Sequence, residues 1–389
     1  MKKDLGIYIH IPFCKSKCKY CDFISFQGIE QKQERYIKCL VKEIEGQDWD
    51  EINKNYEVTT IYIGGGTPSF INSDYVVKIL ETIKDKIYCD KKEHNKIKGI
   101  EITIEVNPGT VDKEKLNKYK LAGVNRLSIG LQSSNNKLLK DIGRIHTYEQ
   151  FLHTYNLAKE VGFQNINVDL MLALPNQKID DLKQSIENVI SLNPNHISVY
   201  SLILEEGTEL YKLEQEGKLN LPSEEVERQM YWYVKNKLEL AGYKHYEISN
   251  FAKTGKESKH NLNCWNQEEY LGFGLAAHSY FKNERFSNTT NLNLYMKNIE
   301  ENNQQKNKEI HEIQKLEDKK KEYMLLGLRK IDGISISKFK ERYVDNPIYL
   351  YKNELSKLSE EGLIEIDGDN IKLTNKGLDL ANLVWEEFI

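Results

Sequence analysis

Three cysteines stand within eight residues near the start of the chain. Cys14, Cys18 and Cys21 are spaced C-x3-C-x2-C, and the sequence holds only six cysteines in 389 residues. A structural zinc site generally takes four ligands, and no fourth ligand follows nearby in the sequence. Three thiolates on a [4Fe–4S] cube instead leave one iron open to an exogenous ligand. The spacing therefore favours a [4Fe–4S] cluster with an iron at which chemistry can occur.

Glycine-rich and polar motifs follow several predicted strands. Gly64-Gly65-Gly66-Thr67-Pro68 follows the second strand, Glu105 ends the third, Gln132 follows the fourth, and Asp169 lies in the fifth. Parallel βα folds place their active sites at the carboxyl ends of the strands. Glycines let a backbone edge approach a ligand, and a carboxylate accepts hydrogen bonds from hydroxyl groups. These residues, with the guanidinium of Arg144, are therefore expected at one rim.

The elements that must position these groups are short β-branched runs alternating with amphipathic segments, up to about residue 245. This alternation is typical of βα units around a parallel sheet, and six units are fewer than the eight of a closed barrel. The prediction is a partial (βα)6 barrel with an open side. The expected strands are Gly6–Ile9, Thr59–Ile63, Glu101–Val106, Arg126–Leu131, Asn165–Leu170, His196–Leu202 and, more weakly, His245–Ile248. The expected helices are Gln33–Glu45, Asp74–Ile87, Lys113–Ala122, Tyr148–Val161, Ile179–Ile190 and Ser223–Ala241.

The rest of the chain divides into two parts. We expect the barrel in residues 1–250, a segment with unusual motifs and a charged helix or linker (302–321) in residues 251–321, and a small domain in residues 322–389. The small domain has two helical stretches and an Asp367-Gly368 turn between alternating runs, which predicts a hairpin and a winged-helix-like shape. It carries nine Lys and Arg against thirteen Asp and Glu, so nucleic-acid binding is disfavoured.

The motifs YIHIPFC, GGGTPS, EVNP, GLQS, LPNQ and HNLNCW resemble those of the radical S-adenosylmethionine (SAM) superfamily. Within it they are similar to the coproporphyrinogen-oxidase-like branch, whose members include an oxygen-independent oxidase and a heme chaperone. The resemblance covers nearly the whole chain. It implies that Cys14, Cys18 and Cys21 hold a [4Fe–4S] cluster whose fourth iron is chelated by SAM. The residues it implies around SAM are Tyr8, Tyr20, Gly65, Gly66, Thr67, Glu105, Gln132, Arg144 and Asp169.

Two departures separate the sequence from the oxidases of that branch. The oxidases have a further cysteine two residues after the third, where this chain has Phe23, and an N-terminal extension, whereas Tyr8 here already lies in the first strand. The stretch HNLNCW also matches a heme-associated H-N-x-x-Y-W pattern, except that Cys264 replaces the tyrosine. Imidazole and thiolate are both axial ligands of heme iron. The resemblance therefore implies heme binding, with His260 as the expected ligand and Cys264 as a competing one.

Three functions remain open at this point. The first is a heme chaperone that transfers heme to an acceptor protein and takes electrons for its cluster from a donor. The second is a radical SAM enzyme acting on a tetrapyrrole, by oxidative decarboxylation as in the coproporphyrinogen III oxidases or by ring opening as in heme degradation. The third is a regulator that uses the winged-helix-like end. Phe23 and the HNLNCW stretch favour the chaperone, and the acidic small domain disfavours the regulator.

Composition narrows the class of protein further. The net charge is −4, 39% of residues are hydrophobic, and no apolar run approaches the roughly 18 residues of a membrane span. The first residues contain no apolar stretch of signal-peptide type, so a cytoplasmic protein with reduced thiols is expected. Cys39 in a predicted helix and Cys89 near a helix end are expected to be inert.

Overall fold

The computed structural model describes residues 2–88 and 99–389. Six strands form a parallel sheet in the order of the sequence, and each pairs with the next. All six predicted parallel strands are present and several extend by one to three residues beyond their predicted ends. The strands are β1 (Lys3–Ile11), β2 (Tyr56–Gly65), β3 (Glu101–Val106), β4 (Arg126–Gln132), β5 (Asn165–Leu172) and β6 (His196–Ser201).

The six predicted helices cover one face of this sheet. They are amphipathic, and their apolar sides join the strands in one continuous core that includes Ile7, Ile63 and Val168. The long helices are α1 (Gln33–Glu45), α3 (Ser73–Ile87), α4 (Lys113–Leu121), α6 (Tyr148–Val161), α7 (Ile179–Leu192) and α9 (Glu224–Leu240). Shorter helices between them are α2 (Trp49–Asn55), α5 (Asn136–Asp141) and α8 (Glu209–Gln215).

The opposite face of the parallel strands forms the lumen of the partial barrel, and it is polar. Because side chains alternate along a strand, the apolar positions of β1 face the helices while Tyr8 and His10 face the lumen. On β4 and β5, Ser128 and Asn167 meet in the lumen through a hydrogen bond of 2.8 Å. The lumen is therefore lined by groups that can bind ligands, which is unlike the apolar packing of a closed βα barrel.

Both edges of the parallel sheet are extended, and the sheet does not close. The predicted seventh strand is β7 (Lys244–Glu247), which forms a hairpin with β8 (Asn250–Ala252), and β8 pairs antiparallel with β6. At the other edge β9 (Glu269–Phe273) pairs parallel to β1 and is followed by the antiparallel strands β10 (His278–Phe281), β11 (Glu284–Asn288) and β12 (Lys308–Ile313). The predicted partial barrel with an open side is confirmed, as one mixed sheet of twelve strands.

The segment between barrel and small domain is more ordered than its composition suggests. Helix α10 (Lys259–Trp265) precedes β9, and α11 (Leu292–Glu300) packs against α1. The stretch 302–321, predicted as a solvated helix or linker, contains the edge strand β12 and the first turns of α12 (Leu316–Gly327). Glu309 and Glu312 of β12 are exposed on the edge of the sheet, where charge protects an unpaired strand from aggregation.

The C-terminal residues form a small domain with its own apolar core, which includes Met324, Phe339 and Ile371. The predicted hairpin is present, with Gly368 at φ +59° in its turn. No helix in the described residues is long and apolar enough to cross a membrane. Beyond α12 the elements are β13 (Ile334–Ser335), α13 (Ile336–Tyr343), α14 (Pro347–Leu350), α15 (Lys352–Glu360), β14 (Ile364–Asp367), β15 (Asn370–Leu373), α16 (Asn375–Asp379) and α17 (Ala381–Glu386).

Candidate functional site

The loop that carries the three clustered cysteines follows β1 and is closed at its base by backbone hydrogen bonds. The amide of Cys14 donates to the carbonyl of Phe26 at 2.8 Å, and the amide of Phe26 donates to Pro12 at 2.8 Å. A side chain of β1 also reaches the loop, because His10 Nε2 lies 2.8 Å from the carbonyl oxygen of Ile24. The loop is therefore fixed at the end of the first strand.

The thiols of Cys14, Cys18 and Cys21 line one open cavity with an empty volume of about 710 Å³. None of the described cysteines forms a disulfide. Thr67 Oγ1 donates to Cys14 Sγ at 3.5 Å, and Arg144 Nη1 donates to Cys18 Sγ at 3.6 Å. Burial raises the pKa of Cys14, and it raises that of Cys21 to about 11. Both are thus protonated at neutral pH, and metal binding would release their protons.

The glycine-rich loop after β2 lies against the cysteine loop, and its glycines are required by space. A Cβ at Gly65 would lie 2.6 Å from the ring of His10, and Gly65 has φ +109°. A Cβ at Gly66 would lie 3.0 Å from Cys14 Sγ. The amide of Gly65 donates to Glu105 Oε2 at 3.2 Å. The loop therefore presents bare backbone to the cavity beside a thiol and a carboxyl group.

Two partly buried carboxyl groups, Glu105 from β3 and Asp169 from β5, line the same cavity. Tyr62 OH donates to Glu105 Oε1 at 3.0 Å, and Ser128 Oγ and Asn167 Nδ2 donate to Asp169 at 3.0 and 2.7 Å. Burial raises the pKa of Glu105 to about 7 and raises the pKa of Asp169. Part of the acceptor capacity of each carboxyl group stays free for a ligand's hydroxyl groups.

Gln132 reaches the rim through an irregularity in the sheet. The pairing of β4 with β5 shifts its register between Gly130 and Gln132, and Gln132 adopts a left-handed conformation with φ +71°. Its side-chain oxygen accepts a hydrogen bond of 3.1 Å from Tyr200 OH. Such bulges redirect a side chain next to a binding site. Sequence periodicity alone placed Gln132 at a strand end and did not reveal this conformation.

Arg144 lines the same cavity as the glycine loop. Its Nη2 donates to the carbonyl of Gly130 at 2.6 Å and to Asn107 Oδ1 at 3.0 Å, whereas its buried Nε has no partner. A buried donor without a partner is rare and costs free energy unless a ligand satisfies it. The guanidinium therefore has a donor available for an acceptor group in this part of the cavity.

All but one of the residues predicted around the cluster and SAM line this cavity. They are Cys14, Cys18, Cys21, Tyr20, Gly65, Gly66, Thr67, Glu105, Gln132, Arg144 and Asp169. Tyr8 lies deeper in the lumen, where its hydroxyl is 3.0 Å from His10 Nδ1 and its ring stacks on Tyr62. The sequence reasoning missed Asn107, Ser128 and Tyr200. Asn107 stands in the EVNP motif, and strand alternation through Gly130 and Ser198 could have indicated the other two.

The HNLNCW stretch lies at the opposite end of the barrel, because α10 packs at the amino ends of the strands. His260 is 8% exposed, its Nδ1 is 2.8 Å from Thr60 Oγ1, and its ring stacks on Tyr62 at 5.2 Å. Burial lowers its pKa to about 4 and raises the pKa of Cys264 to about 11. The imidazole predicted to bind heme is therefore enclosed in this conformation, and the thiol is protonated at neutral pH.

The other end of α10 joins the barrel to the small domain. The guanidinium carbon of Arg329 lies 4.4 Å from the ring centroid of Trp265 and 4.8 Å from that of Trp385. The amide groups at the start of α10 donate to Glu101 on β3, with Lys259 N at 3.1 Å and His260 N at 3.1 Å. Helix α10 is thus held by the barrel on one side and by the small domain on the other.

Two family models match the chain. Residues 8–189 match the radical SAM superfamily, and residues 315–380 match the HemN C-terminal domain. The chain is 39% identical to the heme chaperone HemW of Bacillus subtilis over 98% of both proteins. It is 35% identical to the heme chaperone HemW of Lactococcus lactis over 100% of this chain and 98% of that protein.

Among solved structures, the chain is similar to HemN, the coproporphyrinogen III oxidase of Escherichia coli, which is a radical SAM enzyme. The TM-score is 0.82, with 22% sequence identity, and the match covers 100% of this chain and 90% of the other. At this identity the likeness establishes the fold.

Proposed function

Because the chain belongs to the radical SAM superfamily and, within it, to the family of the HemW proteins, we propose that it is a heme chaperone that binds heme and transfers it to an acceptor protein. The observation that carries this proposal is the 39% identity to a heme chaperone over 98% of both chains. Phe23, at the position where the oxidases of this branch have a further cysteine, supports the same choice.

The proposal includes a [4Fe–4S] cluster held by Cys14, Cys18 and Cys21. The three thiols face one cavity, they are free of disulfides, and the glycine beside Cys14 leaves room that a Cβ would fill. These donors fit a cluster with three thiolate ligands and one open iron. When bound, such a cluster would coordinate SAM at its open iron and would receive electrons from an electron-donor protein.

The other cavity residues would hold an exchangeable SAM. Arg144, with its unpartnered Nε, is suited to the cofactor's carboxylate, and the glycine loop offers backbone groups to its amino group. Glu105 and Asp169 retain acceptor capacity for ribose hydroxyls. Tyr20 and Gln132 line the remaining wall. The observation that most supports this assignment is the unpartnered buried guanidinium nitrogen, because an acceptor group on the ligand would satisfy it.

The test of the chaperone function is a transfer experiment with the whole chain. Protein purified anaerobically with its cluster is loaded with one equivalent of ferric heme and mixed with an apo-form of a heme protein, and the acceptor's absorption spectrum is followed. Transfer faster than from heme bound to serum albumin supports the proposal. Transfer at the albumin rate, or failure to bind heme saturably, contradicts it.

The complete cavity favours a second candidate, a radical SAM enzyme acting on a tetrapyrrole. The described residues of the cavity supply three thiols, a glycine loop, two carboxyl groups and a guanidinium. These are the groups expected to hold a cluster and SAM, so SAM cleavage is chemically feasible. The assay supplies reductant, SAM and either coproporphyrinogen III or heme under anaerobic conditions. We expect no protoporphyrinogen and no ring-opened product. Either product, formed well above a cluster-free control, would replace the chaperone with this second candidate.

A further inference from the structure

Two exposed histidines lie side by side on the antiparallel extension of the sheet. His278 of β10 and His311 of β12 flank the central strand β11, and their ring centroids are 5.5 Å apart with 23° between the planes. Between them, Ser287 Oγ lies 2.8 Å from His311 Nε2. Ser287 is also the residue paired with His278 across the two strands. Both imidazoles therefore lie beside Ser287, and the ring of His278 is exposed to solvent.

The strand register shows which face of the sheet this pair occupies. Tyr270 of β9 pairs with Gly6 of β1, a lumen position, and Tyr280 of β10 pairs with Tyr270. Because side chains alternate along a strand, His278, two residues before Tyr280, shares the lumen-side face. The pair therefore stands on the open side of the partial barrel, on the face that leads into the lumen.

The other described histidines are unsuited to ligate a large planar group. His10, His146, His196, His245 and His260 are buried. His153 is exposed, but it stands on α6, on the helical layer outside the barrel. An axial ligand of heme iron needs an imidazole nitrogen with open space in front of it, because the porphyrin plane is wide. Among residues 2–88 and 99–389, only His278 and His311 meet this requirement on the barrel's open face.

The groups around His278 suit an iron-containing ring that carries carboxylates. Arg285 on the neighbouring strand lies on the same face, with its guanidinium carbon 4.5 Å from the ring centroid of Tyr280. Arg285 is paired with Glu322 at 2.6 Å and is partly exposed. Tyr280 itself is buried beneath Arg285, so the face presents an imidazole and a partly exposed guanidinium, which match an iron atom and a carboxylate. Partial desolvation, and then the neighbouring His311 and Arg285, lower the pKa of His278, so its imidazole is neutral at pH 7.

The turn that presents His278 is rigid and touches the strand beside the cysteine loop. Gly274 in this turn has φ +101°, and a Cβ there would lie 2.8 Å from the carbonyl oxygen of His10. Its amide donates to Glu43 Oε2 at 2.8 Å, and Asn288 Nδ2 donates to its carbonyl at 2.8 Å. His10 in turn contacts the cysteine loop through Ile24. The histidine pair is thus connected to the cluster loop by two packed contacts.

From this placement we infer that His278 is the axial ligand through which the chain binds ferric heme, with His311 stacked beside it as a positioning residue. This inference rests on the proposed heme-chaperone function and names the site at which it is carried out. It assigns the ligand to the open face of the barrel, in place of the enclosed His260. Binding exchanges a water molecule on the heme iron for the imidazole nitrogen, with no change in oxidation state.

The experiment is a titration of the whole chain with ferric heme, read by absorption and by electron paramagnetic resonance of the heme iron. His278→Ala should weaken binding by more than about tenfold and convert the spectrum to that of heme without a protein ligand. Added imidazole should restore the nitrogen-ligated spectrum in His278→Ala. His311→Ala should weaken binding by about tenfold or less and keep the wild-type type of spectrum, as expected for a residue that orients a ligand. His278→Gln repeats the test with a side chain of similar size.

His153→Ala is the matched control, an exposed histidine outside the barrel face, and iron content and thermal unfolding verify that each variant keeps its cluster and fold. If the wild-type chain shows no saturable binding, the proposed function itself fails. If the wild type binds and His278→Ala and His278→Gln bind equally well with the same spectrum, the proposed function stands and this inference is overturned. Loss of the protein-ligated spectrum in His260→Ala alone would also overturn it, and would move the ligand to α10.

Discussion

The two ends of the partial barrel carry similar reactive residue types, but the described residues line an open cavity at the carboxyl ends of the strands and enclose His260 at the amino ends. At the carboxyl ends of the strands, Cys14, Cys18 and Cys21 face a cavity together with an arginine whose Nε has no partner. At the amino ends, His260 and Cys264 are packed between Tyr62, Thr60 and the small domain. A histidine or cysteine in a motif therefore indicates function only when its position in the fold gives a ligand access.

The largest expected effect distinguishes the cysteines of the two ends. Cys14→Ala should abolish the cluster, because two thiolates cannot hold it, whereas Cys264→Ala should leave about four iron and four sulfide ions per chain. Anaerobic iron and sulfide analysis measures this, with Cys39→Ser as a control inside α1. Zinc in place of labile sulfide in the wild type would contradict the cluster assignment. Cys89 was expected to be inert as well, and it lies outside the described residues.

The next effect tests whether His260 is structural. His260→Ala removes its contact with Thr60 and its stacking on Tyr62, and should lower the free energy of unfolding by on the order of 2 to 4 kcal/mol while the iron content is unchanged. Urea unfolding measures it. His153→Ala, on the exposed surface of α6, should change stability by less than about 0.5 kcal/mol. Equal stabilities of the two variants would show that the packing of α10 contributes little.

A smaller effect concerns a carboxyl group of the open end. The pKa of Glu105 is raised by burial to about 7, so the folded chain holds a proton there that the unfolded chain releases near pH 4.5. The protonated Glu105 therefore makes a contribution to the free energy of unfolding that is fully present below about pH 4.5 and is lost as pH rises toward 7. Relative to Glu105→Gln, the wild type should lose on the order of 3 kcal/mol across this window. Parallel stability curves for the two proteins would refute this pKa shift.

The smallest expected effect tests the rim's contact with SAM. Arg144→Lys keeps the charge but loses the planar fork and the free Nε donor, and should weaken SAM binding by about tenfold. The change of the reduced cluster's electron paramagnetic resonance signal on SAM addition measures the affinity. Arg35→Lys, in a surface ion pair with Glu300, should leave it unchanged. If SAM changes the signal of Arg144→Lys at the same concentrations as in the wild type, the proposed contact between the guanidinium and SAM is contradicted.

Local patterns in the sequence determined the parallel core and the rim. The spacing of Cys14, Cys18 and Cys21 places three thiolates on one short loop, and the βα alternation predicted all six parallel strands and their helices. Because parallel strands carry their carboxyl ends to the same edge, the motifs after β2, β3, β4 and β5 had to meet. These features depend on residues close in sequence, so a single chain suffices to predict them.

Only the tertiary structure decided which of the remaining groups are open and which are enclosed. His260 meets Thr60 across 200 residues, and the antiparallel pairing of β10, β11 and β12 brings His278 to His311. The left-handed conformation of Gln132 likewise depends on the register between β4 and β5. Such contacts depend on how distant segments pair and pack, and no local periodicity encodes that choice.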